Sequence, residues 1–124
     1  MKKLLLLCLF LSLSSCFLLQ DKGIVFKVEN TSDYPVTNIK IFTSEHLDSI
    51  NFDEIAPKDY REDFLSMKNN KSDGHYTLSF IRKDGTTVNE NHGYYTNGGS
   101  IESWIHFAIQ NDTTLVRFGD FKAY

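Results

Sequence analysis

The strongest constraint on this chain is a set of short segments in which apolar residues occupy every second position. In segment 23–29, for example, Ile24, Phe26 and Val28 alternate with residues that are mostly polar. Successive side chains of a β-strand point to opposite faces, so this spacing predicts a strand with one buried face. A helix would need an apolar period near 3.6, and residues 23–119 contain no segment with that period.

Segments of the same kind recur along the chain, separated by clusters of Asn, Asp, Gly and Pro that favour turns. We predict strands at 23–29, 36–43, 50–55, 60–68, 75–82, 86–95, 101–109 and 114–118. Beyond the first strand, the side chains expected to face the core are Ile39, Ile41, Tyr76, Leu78, Phe80, Ile101, Ile105, Phe107 and Ile109. Segment 60–68 has no cleanly apolar face and is expected at a sheet edge. Segment 86–95 is interrupted by Asn89-Glu90-Asn91, which predicts a bulged or split strand.

Seven or eight short strands joined by hairpin turns, within about 100 residues, favour an all-β fold. We expect a single antiparallel two-sheet sandwich of immunoglobulin-like architecture over residues 23–119, with 120–124 as a tail. A small closed β-barrel is the alternative. The paired cysteines that flank a tryptophan in immunoglobulin domains are absent, so the expectation concerns the architecture alone.

The N-terminus carries a separate signal. Met1-Lys2-Lys3 is followed by a leucine-rich apolar run, as in the charged and hydrophobic regions of a secretory signal peptide. Leu13-Ser14-Ser15-Cys16 then resembles the lipobox of bacterial lipoproteins, in which a branched apolar residue and two small residues precede the cysteine. The resemblance implies that residues 1–15 are removed and that the Cys16 thiol accepts a diacylglycerol. Residues 16–22 would then be the lipidated N-terminus and a short tether.

Three other interpretations of this segment are open. Ser12, Ser14 and Ser15 offer cleavage sites for an ordinary signal peptide without lipid. Residues 4–19 could form an uncleaved anchor, although sixteen helical residues span about 24 Å and the hydrocarbon core is roughly 30 Å thick. Cys16 could also be a small apolar filler. The lipoprotein interpretation is favoured because the chain has no cysteine after position 16.

Size and charge limit the partners of the exported part. Removing the first fifteen residues leaves 109 residues, which can bury a core without disulfides. This part carries 11 basic and 16 acidic side chains, a formal charge of −5, and no basic cluster. We therefore expect no nucleic-acid partner and no electrostatic attraction to anionic lipid.

The pattern of titratable residues indicates no catalytic or metal centre. His46, His75, His92 and His106 lack metal-ligand spacing and are interpreted as surface side chains. Six acidic residues at positions 48–63 are interpreted as a solvated surface, with a calcium site as the less favoured alternative. We predict a protein that is not an enzyme and that has neither a cofactor nor a metal site.

One segment favours a binding role. Tyr94 and Tyr95 precede the turn Asn97-Gly98-Gly99, and Trp104 falls on the non-core face of the next predicted strand. Together the three side chains could form an aromatic platform for a sugar or peptide. A period of two, however, places the tyrosines on opposite faces, which favours one tyrosine in the core and the other covering the sheet.

The sequence thus predicts a lipid-anchored cell-envelope protein with a non-enzymatic β-sandwich that binds a partner or supports an assembly. Its expected partners are the membrane, through the N-terminal lipid, and an unknown envelope protein or glycan. The alternative is a carbohydrate- or small-ligand-binding module that uses exposed aromatic residues.

Two features of the tether refine the expected location. In one known sorting scheme, an aspartate after the lipidated cysteine retains a lipoprotein at the inner membrane. Phe17 occupies that position here, and by this resemblance it points to the outer membrane of a two-membrane host. Six residues separate Cys16 from Gly23, so we expect the domain to lie close to the bilayer.

Overall fold

The computed structural model of the protein describes residues 21–121. The predicted signal peptide, Cys16, most of the predicted tether and the end of the tail lie outside this range. Within it, nine β-strands and no helix are present, and hence no helix long and apolar enough to cross a bilayer. The strands are β1 (Gly23–Asn30), β2 (Val36–Thr43), β3 (Ser49–Ile55), β4 (Tyr60–Ser66), β5 (Gly74–Ile81), β6 (Thr87–Thr96), β7 (Gly99–Ser100), β8 (Trp104–Ile109) and β9 (Thr114–Phe118).

The strands form two sheets, and the all-β prediction is confirmed. One sheet has four strands in the order β4-β1-β8-β9, and the other has five in the order β3-β2-β5-β6-β7. The five-stranded sheet is antiparallel throughout. In the four-stranded sheet, β1 pairs antiparallel with β4 but parallel with β8. The prediction of purely antiparallel sheets is therefore wrong at β1–β8, because β8 is reached by a crossing from the other sheet and not by a hairpin.

The additional strand arises from a tight turn. Asn97 and Gly98 have φ values of 50° and 71°, as a type I′ hairpin turn requires. The turn allows Thr96 to pair with Gly99, so the short strand β7 extends the sheet beyond β6. β8 consequently begins at Trp104, later than predicted. Ile101 was predicted to point inward on the longer strand, but it lies in the connection between β7 and β8 and is half-buried.

The two sheets pack their apolar faces against one shared core. The Phe26 ring stacks on Phe107 of its own sheet with centroids 5.9 Å apart, and meets Tyr76 of the other sheet edge-on at 5.2 Å. The period-two prediction is confirmed here, since the following predicted inward side chains are buried: Ile24, Phe26, Val28, Ile39, Ile41, Tyr76, Leu78, Phe80, Ile105, Phe107 and Ile109.

Two predicted irregularities are also confirmed. β4 lies at the edge of its sheet, where it pairs with β1 alone among the described strands. β6 is bulged as predicted, but the predicted position is wrong: Asn89, Glu90 and Asn91 pair regularly with β5, and the register shifts between Gly74 and Tyr76. Gly93 at this shift has a φ of 67°, a conformation that glycine adopts without strain.

The connections lie at two opposite ends of the domain. At the Gly23 end, where β1 begins, the Met67 amide donates to the Lys22 carbonyl at 2.8 Å and the Ser100 hydroxyl donates to the Gly23 carbonyl at 3.1 Å. At the Tyr34 end, the Thr31 amide donates to the Ile109 carbonyl at 2.8 Å. The Gly23 end comprises loops 44–48, 67–73, 97–98, 101–103 and 119–121, and the Tyr34 end comprises loops 31–35, 56–59, 82–86 and 110–113.

Candidate functional site

The outer face of the four-stranded sheet, turned away from the core, carries three rows of side chains that cross its strands. The apolar row, nearest the Gly23 end, contains Phe64, Val25 and Trp104. The charged row, in the middle, contains Glu62, Lys27, His106 and Arg117. The third row contains Tyr60, Glu29, Ala108 and Leu115.

A groove of about 500 Å³ opens between the apolar and charged rows. Trp104 and Val25 supply its apolar wall, while Lys27, Glu62 and His106 supply polar groups. Such a mixture of one exposed aromatic surface with a few polar groups is common in sites that bind small molecules. We refer to this feature as the Trp104 groove.

His106 is the most constrained polar side chain of the groove. Arg117 Nη2 lies 2.9 Å from His106 Nδ1, and His106 Nε2 lies 3.0 Å from Glu29 Oε2. A guanidinium group only donates hydrogen bonds, so Nδ1 accepts one and the imidazole proton is on Nε2, which donates to Glu29. The ring is therefore neutral in this arrangement.

Burial and neighbouring cations favour the same neutral state. Desolvation lowers the pKa of His106, and the positive charges of Lys27 and Arg117 lower it further, while Glu29 acts in the opposite direction. The interpretation of His106 as a surface histidine is wrong, because only 7% of it is exposed. The reason is that the long side chains beside it on the outer face cover the ring.

The other three histidines differ in exposure. His46 is exposed, His75 is half-buried, and both lie at the Gly23 end. His92 is half-buried, with its ring centroid 5.3 Å from that of Phe107 and its Nε2 3.1 Å from Glu90. Across residues 21–121, no three His, Cys, Asp or Glu side chains come together in a group that could hold a metal ion.

The structure separates the three residues of the predicted aromatic platform. Tyr94 is exposed, and its hydroxyl donates to Asp73 at 3.0 Å, which raises the pKa of Tyr94. Tyr95 is fully buried, with its ring 5.4 Å from that of Tyr76. Trp104 is exposed on the other sheet. The predicted split of the tyrosines between two faces is confirmed, and Tyr95 is not accessible to a ligand.

Sequence analysis did not identify the polar cluster around Glu45. This carboxylate accepts hydrogen bonds from Asn70 Nδ2 at 2.6 Å and from the Lys71 and Ser72 amides at 3.1 and 3.2 Å. These bonds, above all the one from Asn70, lower the pKa of Glu45 to about 2. The cluster ties loop 44–48 to loop 67–73, and no local pattern in the sequence connects these two loops.

A second cavity, of about 390 Å³, lies at the Tyr34 end. Its cationic groups are already engaged within the protein, since the Lys83 ammonium lies 4.0 Å from the Tyr34 ring centroid and Arg82 Nη1 donates to the Gln110 carbonyl at 2.7 Å. Lys27 of the Trp104 groove is engaged in the same way, with its ammonium 4.5 Å from the Tyr60 ring centroid, so the feature that distinguishes the groove is its exposed tryptophan.

Comparisons with known proteins bear on the fold. No family model and no curated protein matches the chain. The chain is similar to a solved structure described as the NMR structure of the protein from Eubacterium rectale, with a TM-score of 0.51 and 12% sequence identity. The similarity covers 78% of this chain and 88% of that one. At this level of identity, the likeness shows a shared fold alone.

Proposed function

We propose that the protein is a bacterial lipoprotein that carries a non-enzymatic binding or assembly domain into the cell envelope. The observation that carries this proposal is the lipobox-like sequence Leu13-Ser14-Ser15-Cys16, after which the chain contains no further cysteine. Cys16 is then the lipidated first residue of the mature protein. In a host with two membranes, Phe17 directs it to the outer membrane.

We further propose that the two packed sheets form a sandwich of immunoglobulin-like architecture. In such a domain the outer faces of the sheets and the end loops remain available for partners. The Trp104 groove is our candidate contact surface, because it combines an exposed aromatic side chain with polar groups at an accessible face.

The hydrogen bonds of His106 support a binding role over a catalytic one. A general acid or base needs a ring nitrogen that can exchange a proton with the substrate. Both ring nitrogens of His106 are already engaged, one by Arg117 and the other by Glu29. We therefore infer that this histidine stabilises the surface around the Trp104 groove.

Metabolic labelling with radioactive palmitate tests the lipid attachment. We expect Cys16→Ala to abolish labelling and to leave an uncleaved precursor, because no thiol is then available at the modification site. Cys8→Ala is the matched control, since Leu6 and Leu7 before Cys8 are too large for a lipobox, and this variant should label as the wild type does. Equal labelling of Cys16→Ala and wild type would contradict the proposal.

A carbohydrate-binding module is the second candidate. Trp104 is exposed beside Lys27 and Glu62 in the groove, and an aromatic surface flanked by hydrogen-bonding groups suits a sugar ring. A glycan array probed with wild type, Trp104→Ala and the control Tyr94→Ala tests it. Binding that is lost only in Trp104→Ala supports this candidate, and the absence of any bound glycan removes it.

A further inference from the structure

Exposed apolar side chains are concentrated at one end of the domain. Nine large apolar or aromatic side chains are exposed within residues 21–121. Six of them lie at the Gly23 end: Leu47, Phe64, Tyr94, Trp104, Phe118 and Phe121. The other three lie towards the Tyr34 end: Tyr34, Tyr60 and Leu115.

The aromatic members of the four-stranded sheet surround the start of β1. Phe64 and Trp104 flank Val25 in the register of the sheet. The ring of Phe64 also covers Gly23, where any side chain would collide with it. Beyond the end of β9, Phe121 pairs with Glu102 just before β8 begins, and 82% of Phe121 is exposed.

The chain outside the described residues leads directly to this end. From Cys16 to Gly23 there are seven residue steps, which reach at most about 24 Å when fully extended. Lys22 and Gly23 are fixed to the domain by the hydrogen bonds that their carbonyl groups accept from Met67 and Ser100. A lipid on Cys16 would therefore hold the Gly23 end within a short distance of the bilayer.

We propose that the Gly23 end rests on the surface of the bilayer, with Leu47, Phe118 and Phe121 in the interfacial region and Trp104 at its border. This inference rests on the proposed lipid attachment at Cys16. Aromatic side chains are favoured at the membrane–water interface, where an apolar ring meets a hydrated layer. Apolar side chains on such a rim add to the binding that the lipid chains provide.

The charges at this end indicate the type of lipid contact. The basic side chains are Lys22, Lys68 and Lys71, whereas the acidic side chains are Asp21, Glu45, Asp48, Asp73, Glu102 and Asp120. An acidic excess does not attract anionic headgroups. The contact is consequently apolar, suits a zwitterionic surface, and is insensitive to salt.

The single tryptophan of the chain provides a direct test. The full lipidated protein is reconstituted into phosphatidylcholine vesicles, with or without brominated acyl chains, which quench tryptophan fluorescence on contact. We expect quenching of Trp104 that persists at high salt. The double variant Leu47→Ser, Phe121→Ser should lose quenching, because the rim no longer favours the interface, whereas the matched double variant Tyr34→Ser, Leu115→Ser should keep it.

Vesicle flotation separates the failure of this inference from that of the lipid attachment. If the wild-type protein floats with the vesicles but Trp104 is not quenched, or if both double variants are quenched equally, the lipoprotein proposal stands and the contact surface is wrong. Protein that does not float overturns both. Quenching that salt abolishes, or a Trp104 signal that responds to soluble glycans and not to brominated lipid, also overturns the apolar contact.

Discussion

The hydroxyl group of Tyr95 donates a hydrogen bond of 2.9 Å to the carboxylate of Glu45, fifty residues earlier in the chain. Tyr95 is fully buried near the end of β6, whereas Glu45 lies in the loop that follows β2. Because the same carboxylate accepts hydrogen bonds from Asn70 and from the Lys71 and Ser72 amides, it joins three segments at the Gly23 end. Protonation of this one carboxylate would therefore weaken hydrogen bonds to three segments at once.

Acid should weaken the hydrogen bonds that Glu45 accepts. The folded-state pKa of Glu45, about 2, lies below its ordinary value of 4.5, so its stabilising contribution is present above pH 4.5 and is lost as the pH falls towards 2. We expect the melting temperature of the wild type to fall more steeply over this range than that of Glu45→Gln.

Hydrogen bonds also lower the pKa of Asp59 and Asp84, so protonation of these groups weakens the fold in every variant. The informative quantity is therefore the difference between variants in the slope of melting temperature against pH. Asp48→Asn, an exposed substitution in the same loop, is the control and should retain the wild-type slope. If Glu45→Gln has the same slope as Asp48→Asn, the cluster does not contribute as described.

His106 should make the stability of the domain depend on pH in a second, higher pH range. Burial and nearby cations hold its folded-state pKa below the ordinary value of 6.5, so the stability that it contributes is present above that value and is lost as the pH falls below it. Thermal unfolding between pH 7 and 5 should show a smaller slope for His106→Gln than for wild type. The exposed His46→Gln is the control, and a slope in His106→Gln equal to that of His46→Gln would contradict the neutral, buried assignment.

The turn glycines form a matched pair. Gly85 and Gly98 both have positive φ values, and an alanine in this conformation costs about 1–2 kcal/mol. A methyl group at Gly85 would meet open space, but at Gly98 it would collide with the Asn70 backbone. Urea denaturation should therefore show a larger loss of stability for Gly98→Ala than for Gly85→Ala. Equal losses would show that the backbone of Asn70 can move away from the added methyl group without a further loss of stability.

The shared core should dominate stability. Phe107 is fully buried and stacks on Phe26, and removing a ring of this kind costs roughly 3–5 kcal/mol. We expect that range for Phe107→Ala in urea denaturation, and less than about 0.5 kcal/mol for Phe121→Ala, which alters an exposed side chain. A small effect of Phe107→Ala would show that the two sheets do not depend on this contact.

Reducing agents should leave the domain unchanged. Residues 17–124 contain no cysteine, so folding of the β-sheet domain cannot depend on a disulfide. The melting curve of monomeric residues 17–124 should be superimposable with and without reductant. A shift would require a thiol that the sequence does not contain, and hence a contaminant or a different chain.

The sequence was most informative where one strand face meets the core. The bounds of β2 and the inward side chains of β1 and β5 follow the alternation as predicted, because burial of one face imposes a period of two. The same rule predicted that Tyr94 and Tyr95 separate.

The sequence was least informative where residues that are distant in the chain come into contact. His106 is buried by Glu29 and Arg117, and the parallel register that places Lys27 opposite His106 joins segments about eighty residues apart. Alternation assigns a side chain to a face but does not specify strand order or direction. The charged row and the Glu45 cluster therefore emerged only from the three-dimensional arrangement.

The position of β1 has a consequence for the order of folding. β1 pairs with β4 and β8, and Val25 meets Trp104 only after most of the chain has been made. The five-stranded sheet, by contrast, contains three hairpins between consecutive strands: β2–β3, β5–β6 and β6–β7. Since contacts between distant segments form slowly, we expect pulse-labelled amides of β5 and β6 to gain protection before those of β1. On the proposal that Cys16 is lipidated, the strand that follows the attachment site, β1, would then become protected later than β5 and β6.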